Sequence, residues 1–427
     1  MKHIQQTLIV LAITMTLFSC QDKIEETFVV NEPQYMSYED LRVAFDVVEP
    51  QEIIQPGKIY FKDNLIFVNE YQKGIHVVFN EDPSNPIVIK FIEIPGNVDL
   101  AIKGNILFAD SYVDLLAIDI SNLDDIYEVT RIEDAFPYII PEVTEGMIDD
   151  IDESKGVITG WSQVKKTVKV EREDYNYPQF RSWEMGFATV DMASASPAVS
   201  GEGIGVGGSM ARFTLYDKYL YAVDISMLRL FNVSTAAYPK LEKEINIGWN
   251  IETIFPYEEK LFIGSRTGMI IYSLEDASNP TYISEFWHAS SCDPVVVEGD
   301  YAYVTLRAGN ICGNDISQLD VIDISNIQYP ELVKIYPMEE PYGLGIDNSV
   351  LFICDGNAGL KIYNAEDPET ISSNMLASYP EINAFDVIPL GNVLLMIGID
   401  GLYQYDYSDL ENIYQLSHIP IYGQPNE

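Results

Sequence analysis

The sequence predicts an all-β protein built as a single β-propeller of about eight four-stranded blades, with seven blades as the alternative. Three observations support this fold. One phrase recurs about every 41 residues, which indicates a supersecondary unit copied around an array. Short apolar strands follow tight turns at even spacing. No amphipathic helix separates those strands, which favours four-stranded blades over alternating strands and helices.

The recurring phrase is an apolar alternating run that ends in an acidic or polar residue. Ser, Asn or Asp follows, and usually Pro. Such residues stop a strand and favour a turn, so each copy marks the end of one strand and the approach to the next. The clearest copies are Gly74–Pro86, Leu115–Asn122, Ile270–Pro280, Leu319–Pro330 and Leu360–Pro368.

Each unit also contains an earlier two-residue turn between two strands. Several of these pairs favour hairpins, because they accept the backbone twist that the flanking strands need. A buried-looking strand follows each turn, such as Leu65–Val68 or Leu261–Gly264. Seven units are identified by the pairs Asp63-Asn64, Gly104-Asn105, Asp217-Lys218, Glu258-Glu259, Gly299-Asp300, Asp347-Asn348 and Gly391-Asn392.

The stretch between Asn105 and Lys218 is too long for one unit. We interpret it as an eighth unit with a long insert, the insert covering about residues 137–208. In that unit Val157–Trp161 is a predicted second strand and Phe187–Pro197 a predicted third strand. The segment Val43–Ile54 precedes the first unit, and we expect it to pair with the last blade and close the ring, which would leave no exposed sheet edge.

The N-terminus has the pattern of an export signal. Lys2 precedes a short apolar stretch, Thr7–Leu17, which is too short for a normal membrane span. Residues 1–19 are therefore a predicted signal peptide. Cys20 after Leu-Phe-Ser resembles a bacterial lipobox, although Phe18 departs from the usual small residue. That resemblance implies a lipidated Cys20, a polar acidic tether over residues 20–41 and a propeller over residues 42–427.

The repeated phrase itself resembles the LVIVD repeat, and Leu319–Pro330 and Leu115–Asn122 match it best. The chain resembles LVIVD-repeat lipoproteins of the Bacteroidetes type from about Pro56 to the C-terminus. The resemblance implies a β-propeller on the outer membrane, facing either the periplasm or the cell surface. It implies no established activity and therefore no catalytic residues.

The charge balance excludes nucleic acid as a partner. The chain has 66 acidic and 25 basic residues, a formal net charge of −41, which repels phosphate backbones. Such a charge also keeps a surface protein soluble, and this is the simpler interpretation. The one basic cluster, Lys165–Arg172, is expected to pair with its own acidic neighbours; docking to a partner protein is the alternative.

The cysteines suggest one disulfide. Cys292 precedes the first strand of its unit and Cys312 follows the second strand, so the two thiols lie at the same edge of a predicted hairpin. In an oxidising compartment a disulfide is the expected state. Metal ligation is the alternative, but no His or second Cys pair accompanies these residues at ligand spacing. Cys354 lies in an apolar strand and is expected to be a buried free thiol.

Polar residues at the ends of the second strands form the candidate ligand-binding set. The repeat predicts that they form a rough ring near one face of the propeller, where loops carry function. Two arginines among acids would suit an anionic or sugar-like ligand, whereas the acids alone could hold Ca²⁺. Hydrogen bonding to neighbouring backbone is the structural alternative. The set is Glu70, Asp110, Asp224, Arg266, Arg307, Asp355 and Asp400, with Trp161 in the eighth unit and His288 in a nearby loop.

No catalytic set is apparent, and no cofactor is predicted. The leading hypothesis is a cell-envelope lipoprotein that acts as a binding or scaffold propeller for a protein or glycan partner. The alternative is a metal-dependent hydrolase or lactonase of the propeller type, with its site at the channel mouth. A purely structural envelope protein is the third hypothesis. The sequence favours a protein without enzymatic activity and does not identify the ligand.

Overall fold

A computed structural model describes residues 23–141, 143, 145–171, 205–209, 211–249, 251–265, 267–287, 294–308 and 316–421 of the 427-residue chain. The chain divides into two compact units. One unit comprises residues 1–37 and 140–187, and the other comprises residues 38–139 and 188–427. No helix in the described part of the chain has both the length and the apolar character that crossing a membrane requires.

The larger unit contains seven antiparallel sheets in chain order, which we number as blades 1 to 7. Within each blade the four strands follow one another as a meander from the axis outward. Blades 1 to 3 consist of Pro56–Lys62, Leu65–Glu70, Gly74–Phe79 and Ile87–Glu93; Leu100–Lys103, Ile106–Ser111, Asp114–Asp119 and Tyr127–Ile132; and Phe213–Tyr216, Tyr219–Val223, Met227–Asn232 and Lys240–Asn246.

The remaining four blades have the same four-stranded order. They consist of Ile251–Tyr257, Lys260–Ser265, Gly268–Ser273 and Thr281–Trp287 in blade 4; Val295–Glu298, Tyr301–Leu306, Gln318–Asp323 and Glu331–Pro337 in blade 5; Leu344–Asp347, Val350–Cys354, Leu360–Asn364 and Met375–Tyr379 in blade 6; and Ala384–Pro389, Val393–Gly398, Gly401–Asp406 and Tyr414–Pro420 in blade 7. Short helical turns span Tyr38–Leu41, Glu153–Lys155 and Ile371–Ser373.

The all-β propeller fold is thus confirmed. The structure has eight sheets, of which seven are the repeated blades and the eighth is a separate three-stranded sheet. The predicted hairpins connect strands 1 and 2 in all seven blades. Their first residues adopt positive φ, for example Asp63 at 56° and Gly104 at 60°, as the twist of a two-residue hairpin requires. In blade 6 the turn lies one residue later than predicted, at Asn348 and Ser349.

The recurring phrase has a clear structural role, seen in blade 5. The Asp323 carboxylate ends strand 3 and accepts a hydrogen bond from the Ser325 amide at 2.8 Å. The Asn326 side chain then accepts one from the Gln328 amide at 3.3 Å, so two Asx turns follow each other. Between them the Ile324 amide donates to the Asp300 carbonyl at 2.9 Å, which fastens the phrase to the strand 1–2 hairpin. The repeat therefore encodes a strand end and its fastening to a neighbouring turn.

Hydrophobic packing and paired amides close the ring between blades 7 and 1. Ile388, Leu395 and Leu402 of blade 7 form one buried cluster with residues of blade 1 such as Ile66. At its edge Asn80 Nδ2 donates to Gln404 Oε1 at 2.9 Å, and Gln404 Nε2 donates to Asn80 Oδ1 at 2.7 Å. Both side chains are buried, so the two amides satisfy each other without water.

The predicted closure by Val43–Ile54 is wrong. Asp46–Val48 pairs antiparallel with residues 91–93 at the outer edge of blade 1, and blade 7 has four strands of its own. The segment directly precedes blade 1 in the chain, and consecutive elements usually pair. It therefore extends the blade that follows it and protects that blade's outer edge.

The smaller unit corrects two further expectations. Lys23–Met36, predicted as part of the acidic tether 20–41, is a strand that pairs with Val157–Glu171, and Met147–Ile148 pairs along its other edge. Val157–Trp161 is therefore not a strand of an eighth blade. β-branched residues are in register across this ribbon, such as Thr27 with Thr167 and Val30 with Val164. Phe187–Pro197 lies outside the described residues.

The basic cluster pairs with acidic neighbours at Lys166. Lys166 Nζ lies 2.9 Å from Glu32 Oε1 and 2.7 Å from Asp149 Oδ2. These partners raise the pKa of the Lys166 ammonium. The predicted insert, about residues 137–208, thus contributes residues 145–171 to the smaller unit and residues 205–209 to the propeller.

Candidate functional site

Six of the predicted polar residues, those that the structure describes in the propeller, lie on one face, where second strands end and fourth strands pass to the next blade. We call this the crossover face and the opposite one the hairpin face. Strand register shows that Glu70, Asp224 and Asp355 occupy equivalent positions. The other described members are offset along their strands: Asp110 lies one residue earlier, Arg307 one later and Asp400 two later. The ring is therefore irregular, because the repeat fixes strand register but not the residue at which each strand ends.

Several predicted residues lie outside the described part of the chain. They are the lipidation residue Cys20, the pair Cys292 and Cys312, and the ring members Arg266 and His288. Trp161 is described, but it lies in the smaller unit, where its indole N–H donates to the Pro141 carbonyl at 3.1 Å. Cys354 is a buried free thiol, as predicted, and burial raises the pKa of that thiol well above its usual value.

Glu70 holds the chain that enters blade 1. Its buried carboxylate accepts the amides of Ile54 at 3.1 Å and Gln55 at 2.9 Å, and His76 Nε2 lies 3.1 Å from Oε2. Burial alone would raise the pKa of Glu70. The hydrogen bonds from His76 and the two amides outweigh burial and lower that pKa below its usual value. Glu70 thus has its hydrogen-bonding capacity used within its own blade.

Asp355 performs the same role in blade 6. Its fully buried carboxylate accepts the Glu340 amide at 2.7 Å and the Glu339 amide at 3.1 Å, from the segment that enters the blade. Lys361 Nζ lies 2.5 Å from Asp355 Oδ2 and supplies the positive partner. A carboxylate at this position therefore secures the incoming backbone, with a cation from strand 3 beside it.

The remaining acids also have partners close by in the chain. Asp224 accepts the Ser226 and Met227 amides at 3.0 Å and pairs with Arg229. Asp400 Oδ2 accepts the Tyr403 hydroxyl at 2.6 Å. Among the described residues no group of three or more His, Cys, Asp or Glu side chains is arranged to hold a metal ion. The geometry of these acids is that of structural hydrogen bonding.

A second polar layer lies nearer the axis, on the first strands. Lys58 Nζ lies 2.6 Å from Asp99 Oδ2, and both side chains are buried. The same oxygen accepts the backbone amides of Arg212 at 2.5 Å and Phe213 at 3.1 Å. Burial lowers the pKa of Lys58, with Asp99 opposing that effect. One carboxylate thus connects the innermost strands of blades 1, 2 and 3.

Asp110, on the second strand of blade 2, stabilises this layer. Its Oδ1 accepts the Asn97 side chain and the Val98 amide, each at 2.8 Å, and the Asp99 amide at 2.9 Å. Burial raises the pKa of Asp110 to about 6, even though the two amides act in the opposite direction. Asp110 therefore orients the loop that presents Asp99.

Residues 205–209, part of a glycine-rich stretch, cross the axis of the propeller. Val206–Gly207 pairs with Tyr60 and Phe61 at the inner edge of blade 1. The Gly205 amide donates to Ile102 of blade 2 at 3.1 Å, and Ser209 Oγ accepts the Leu344 amide of blade 6 at 3.0 Å. A side chain at position 205 would place its Cβ 2.3 Å from the Tyr60 ring, so glycine is required there. The channel of the propeller therefore contains this part of the chain.

Asp386 faces this crossing segment from blade 7. Its side chain is 0% exposed; Oδ1 lies 3.4 Å from Ser209 Oγ and Oδ2 has no hydrogen-bond partner. Burial raises the pKa of Asp386 well above its usual value. Burial therefore favours the protonated, uncharged form of this carboxyl group more than solvent would.

The most exposed large aromatic side chains on the crossover face were not among the predicted residues. Trp249, which connects blade 3 to blade 4, is 77% exposed, and Trp287, at the end of blade 4, is 65% exposed. Strand register aligns Ile251, Ser265, Gly268 and Trp287 across blade 4. Three interstrand spacings therefore separate Ile251 from Trp287, or about 14 Å. Trp249 lies two residues before Ile251, so both indoles belong to one sector of the face.

Arg307 continues this sector into blade 5. Its guanidinium lies 4.0 Å from the centre of the Tyr342 ring, which is a cation–π distance. Tyr342 in turn packs edge-on against Phe385, with ring centres 5.2 Å apart. We call Trp249, Trp287, Arg307 and Tyr342 the aromatic sector. Arg307 was predicted from its position at a strand end; the tryptophans could have been found by asking which large apolar residues fall in connections or at strand ends.

Comparisons with known proteins identify no family for this chain. No family model matches the sequence, and no curated protein matches it. Similar solved structures include the computationally designed Ika8 protein, with 9% identity, TM-score 0.49, and 86% of this chain and 90% of that chain covered. BamB from Moraxella catarrhalis has 8% identity and TM-score 0.47, over 84% and 95% of the two chains. Hsv2 from Kluyveromyces lactis has 11% identity and TM-score 0.47, over 86% and 100%. The description of the site rests on this chain's own sheets and contacts.

The raised pKa of the Asp386 carboxyl predicts a pH effect on stability. In the unfolded chain an aspartate ionises at roughly pH 3.9, whereas the folded state keeps the proton to higher pH. The folded state then binds more protons than the unfolded state, so this residue makes stability fall as pH rises above 4. Asp386→Asn should raise the free energy of unfolding at pH 7, and that gain should shrink towards pH 4.

Denaturant unfolding between pH 4 and pH 8 measures this effect. Asp323→Asn is the matched control, because hydrogen bonds from Ser325 lower the pKa of Asp323. A lowered pKa stabilises the fold above the unfolded pKa and is lost on acidification, so the control should show a small effect of opposite sign. A pH-independent difference between Asp386→Asn and the unmodified protein would contradict a raised pKa at Asp386.

Proposed function

We propose that this protein is a cell-envelope lipoprotein whose propeller binds a protein or glycan partner through its crossover face. The observation that carries the binding role is the aromatic sector, where two tryptophans are 77% and 65% exposed. Large exposed aromatic side chains mark interaction sites more often than inert surface. Arg307 over Tyr342 adds a third aromatic element to the same sector.

The state of the strand-end acids supports binding by surface contact. Glu70, Asp224 and Asp355 are engaged with backbone amides and with cations of their own blades. A metal-dependent hydrolase or a Ca²⁺ site at the channel mouth would need several of these carboxylates to converge on one point. Residues 205–209 also lie at the axis, where such a site would have to form.

The anchor forms the second part of the proposal. Export through residues 1–19 and acylation of Cys20 would place the protein on the outer membrane. Because Lys23 already begins a strand, the lipid would be connected to folded structure by Gln21 and Asp22 and not by a long tether. The anchor would thereby restrict the distance of the smaller unit from the membrane, whichever leaflet carries it.

Changing Cys20 to Ala tests the anchor. The variant should be exported but should leave the membrane fraction for the aqueous fraction, because acyl chains supply the membrane affinity. Membrane fractionation with immunoblotting measures this, and Cys354→Ala serves as the control that should remain membrane-bound. A Cys20→Ala protein found in the membrane fraction at the unmodified level would refute lipid anchoring.

Retention on the immobilised mature chain, residues 20–427, tests the binding role. Solubilised envelope is divided into two halves. One half is treated with protease to destroy protein, and the other with periodate to destroy glycan. We expect a saturable retained component that survives only one treatment. Retention should persist after reduction of disulfides, because the fold rests on hydrophobic clusters and hydrogen bonds in all seven blades. No saturable retention from either half would contradict the binding role and favour a purely structural protein.

A further inference from the structure

The charged residues around the aromatic sector include exposed glutamates. Glu285 lies two residues before Trp287 on the same strand and is exposed, and Glu339 is exposed at the entry to blade 6. Among the described residues, Arg229 pairs with Asp224 and Glu244, Lys361 pairs with Asp355, and Arg307 stacks on Tyr342. Glu285 and Glu339 therefore add exposed negative charge to this face, within a chain of net charge −41.

We propose that the aromatic sector docks a protein with a positively charged surface. This inference rests on the proposed binding function and identifies the class of partner. Lysine or arginine side chains of such a partner would stack on the exposed indoles and pair with Glu285 and Glu339. The sector combines Trp, Tyr and Arg, the three residue types that dominate the binding energy of protein interfaces.

The arrangement favours a protein over a glycan. The sector extends across parts of blades 4 to 6, and Ile316, 38% exposed at the start of the third strand of blade 5, adds apolar surface at the same face. A stable protein interface buries about 800 Å² on each partner and therefore draws on residues from several neighbouring elements. Negative charge next to aromatic faces selects for cations, whereas most glycan hydroxyls are neutral.

Site-specific photo-crosslinking in intact cells tests where the partner docks. Benzoylphenylalanine is introduced at position 316 on the crossover face, and at position 329 as the control. Tyr329 is 72% exposed in the same blade, in the turn between strands 3 and 4 on the hairpin face. We expect a discrete protein adduct from position 316 and none from position 329.

Affinity measurements with the purified, identified partner test the energetics. Trp249→Ala with Trp287→Ala should weaken binding at least tenfold. Tyr238→Ala with Tyr329→Ala, two exposed aromatics of the hairpin face, should change the affinity less than twofold. Binding of the unmodified protein should weaken severalfold between 50 and 300 mM salt, since charge pairs at the rim are screened. Unchanged circular dichroism confirms that the variants are folded.

The outcomes separate this inference from the broader proposal. A protein adduct from position 329, equal losses in both double variants, or salt-independent affinity would overturn the basic-partner sector while leaving a binding propeller. A periodate-sensitive adduct at position 316 would show that the sector binds a glycan and would contradict a protein partner. No adduct at either position would also overturn the sector, and the retention experiment would then decide the binding role independently.

Discussion

The centre of this propeller depends on one buried carboxylate. Asp99 accepts Lys58 of blade 1 and the amides of Arg212 and Phe213 of blade 3, so three consecutive blades meet at a single side chain. Removing one partner of such a buried pair costs about 3–5 kcal/mol, because the other charge is left without compensation. Asp110 orients the Asp99 loop by accepting two of its amides. The surrounding polar residues are arranged to keep this one group satisfied.

That arrangement explains why polar residues near the axis do not amount to a ligand site. Glu70 and Asp355 each use a carboxylate to secure the backbone that enters their blade, and each has a cation or a histidine beside it. Burial raises the pKa of Asp386, and residues 205–209 lie between blades 1, 2 and 6. The binding role proposed above therefore rests on the exposed aromatic side chains of the crossover face and not on these buried acids.

The sequence predicts the repeated part of this fold well, for a physical reason. The repeated phrase around Asp323 encodes two local Asx turns and a hydrogen bond to the nearby hairpin, all within about 30 residues. Local interactions of this kind produce a recognisable pattern in the amino-acid sequence. The same holds for Cys354, whose apolar strand predicts burial.

Long-range pairing could not be predicted in the same way. Lys23–Met36 and Val157–Glu171 form one ribbon although more than 120 residues separate them, and the acidic composition of the first strand concealed its β-branched alternation. The segment 205–211 is a poor strand former, and its place at the axis follows from close packing that only glycine permits. The strand-end acids were found, but composition alone does not distinguish a ligand-binding carboxylate from one that holds backbone.

Hydrogen–deuterium exchange of the segment 205–213 tests the central claim, that the chain itself occupies the axis and holds the innermost strands together. The amides of Gly205, Arg212 and Phe213 donate to Ile102 and Asp99, so mass spectrometry should find them as protected as Leu100–Lys103 of blade 2. Exchange of this segment within seconds, at the rate of an unprotected peptide while blade 2 stays protected, would contradict the account. The axis would then be open, and the strand-end acids would again be candidates for a ligand site.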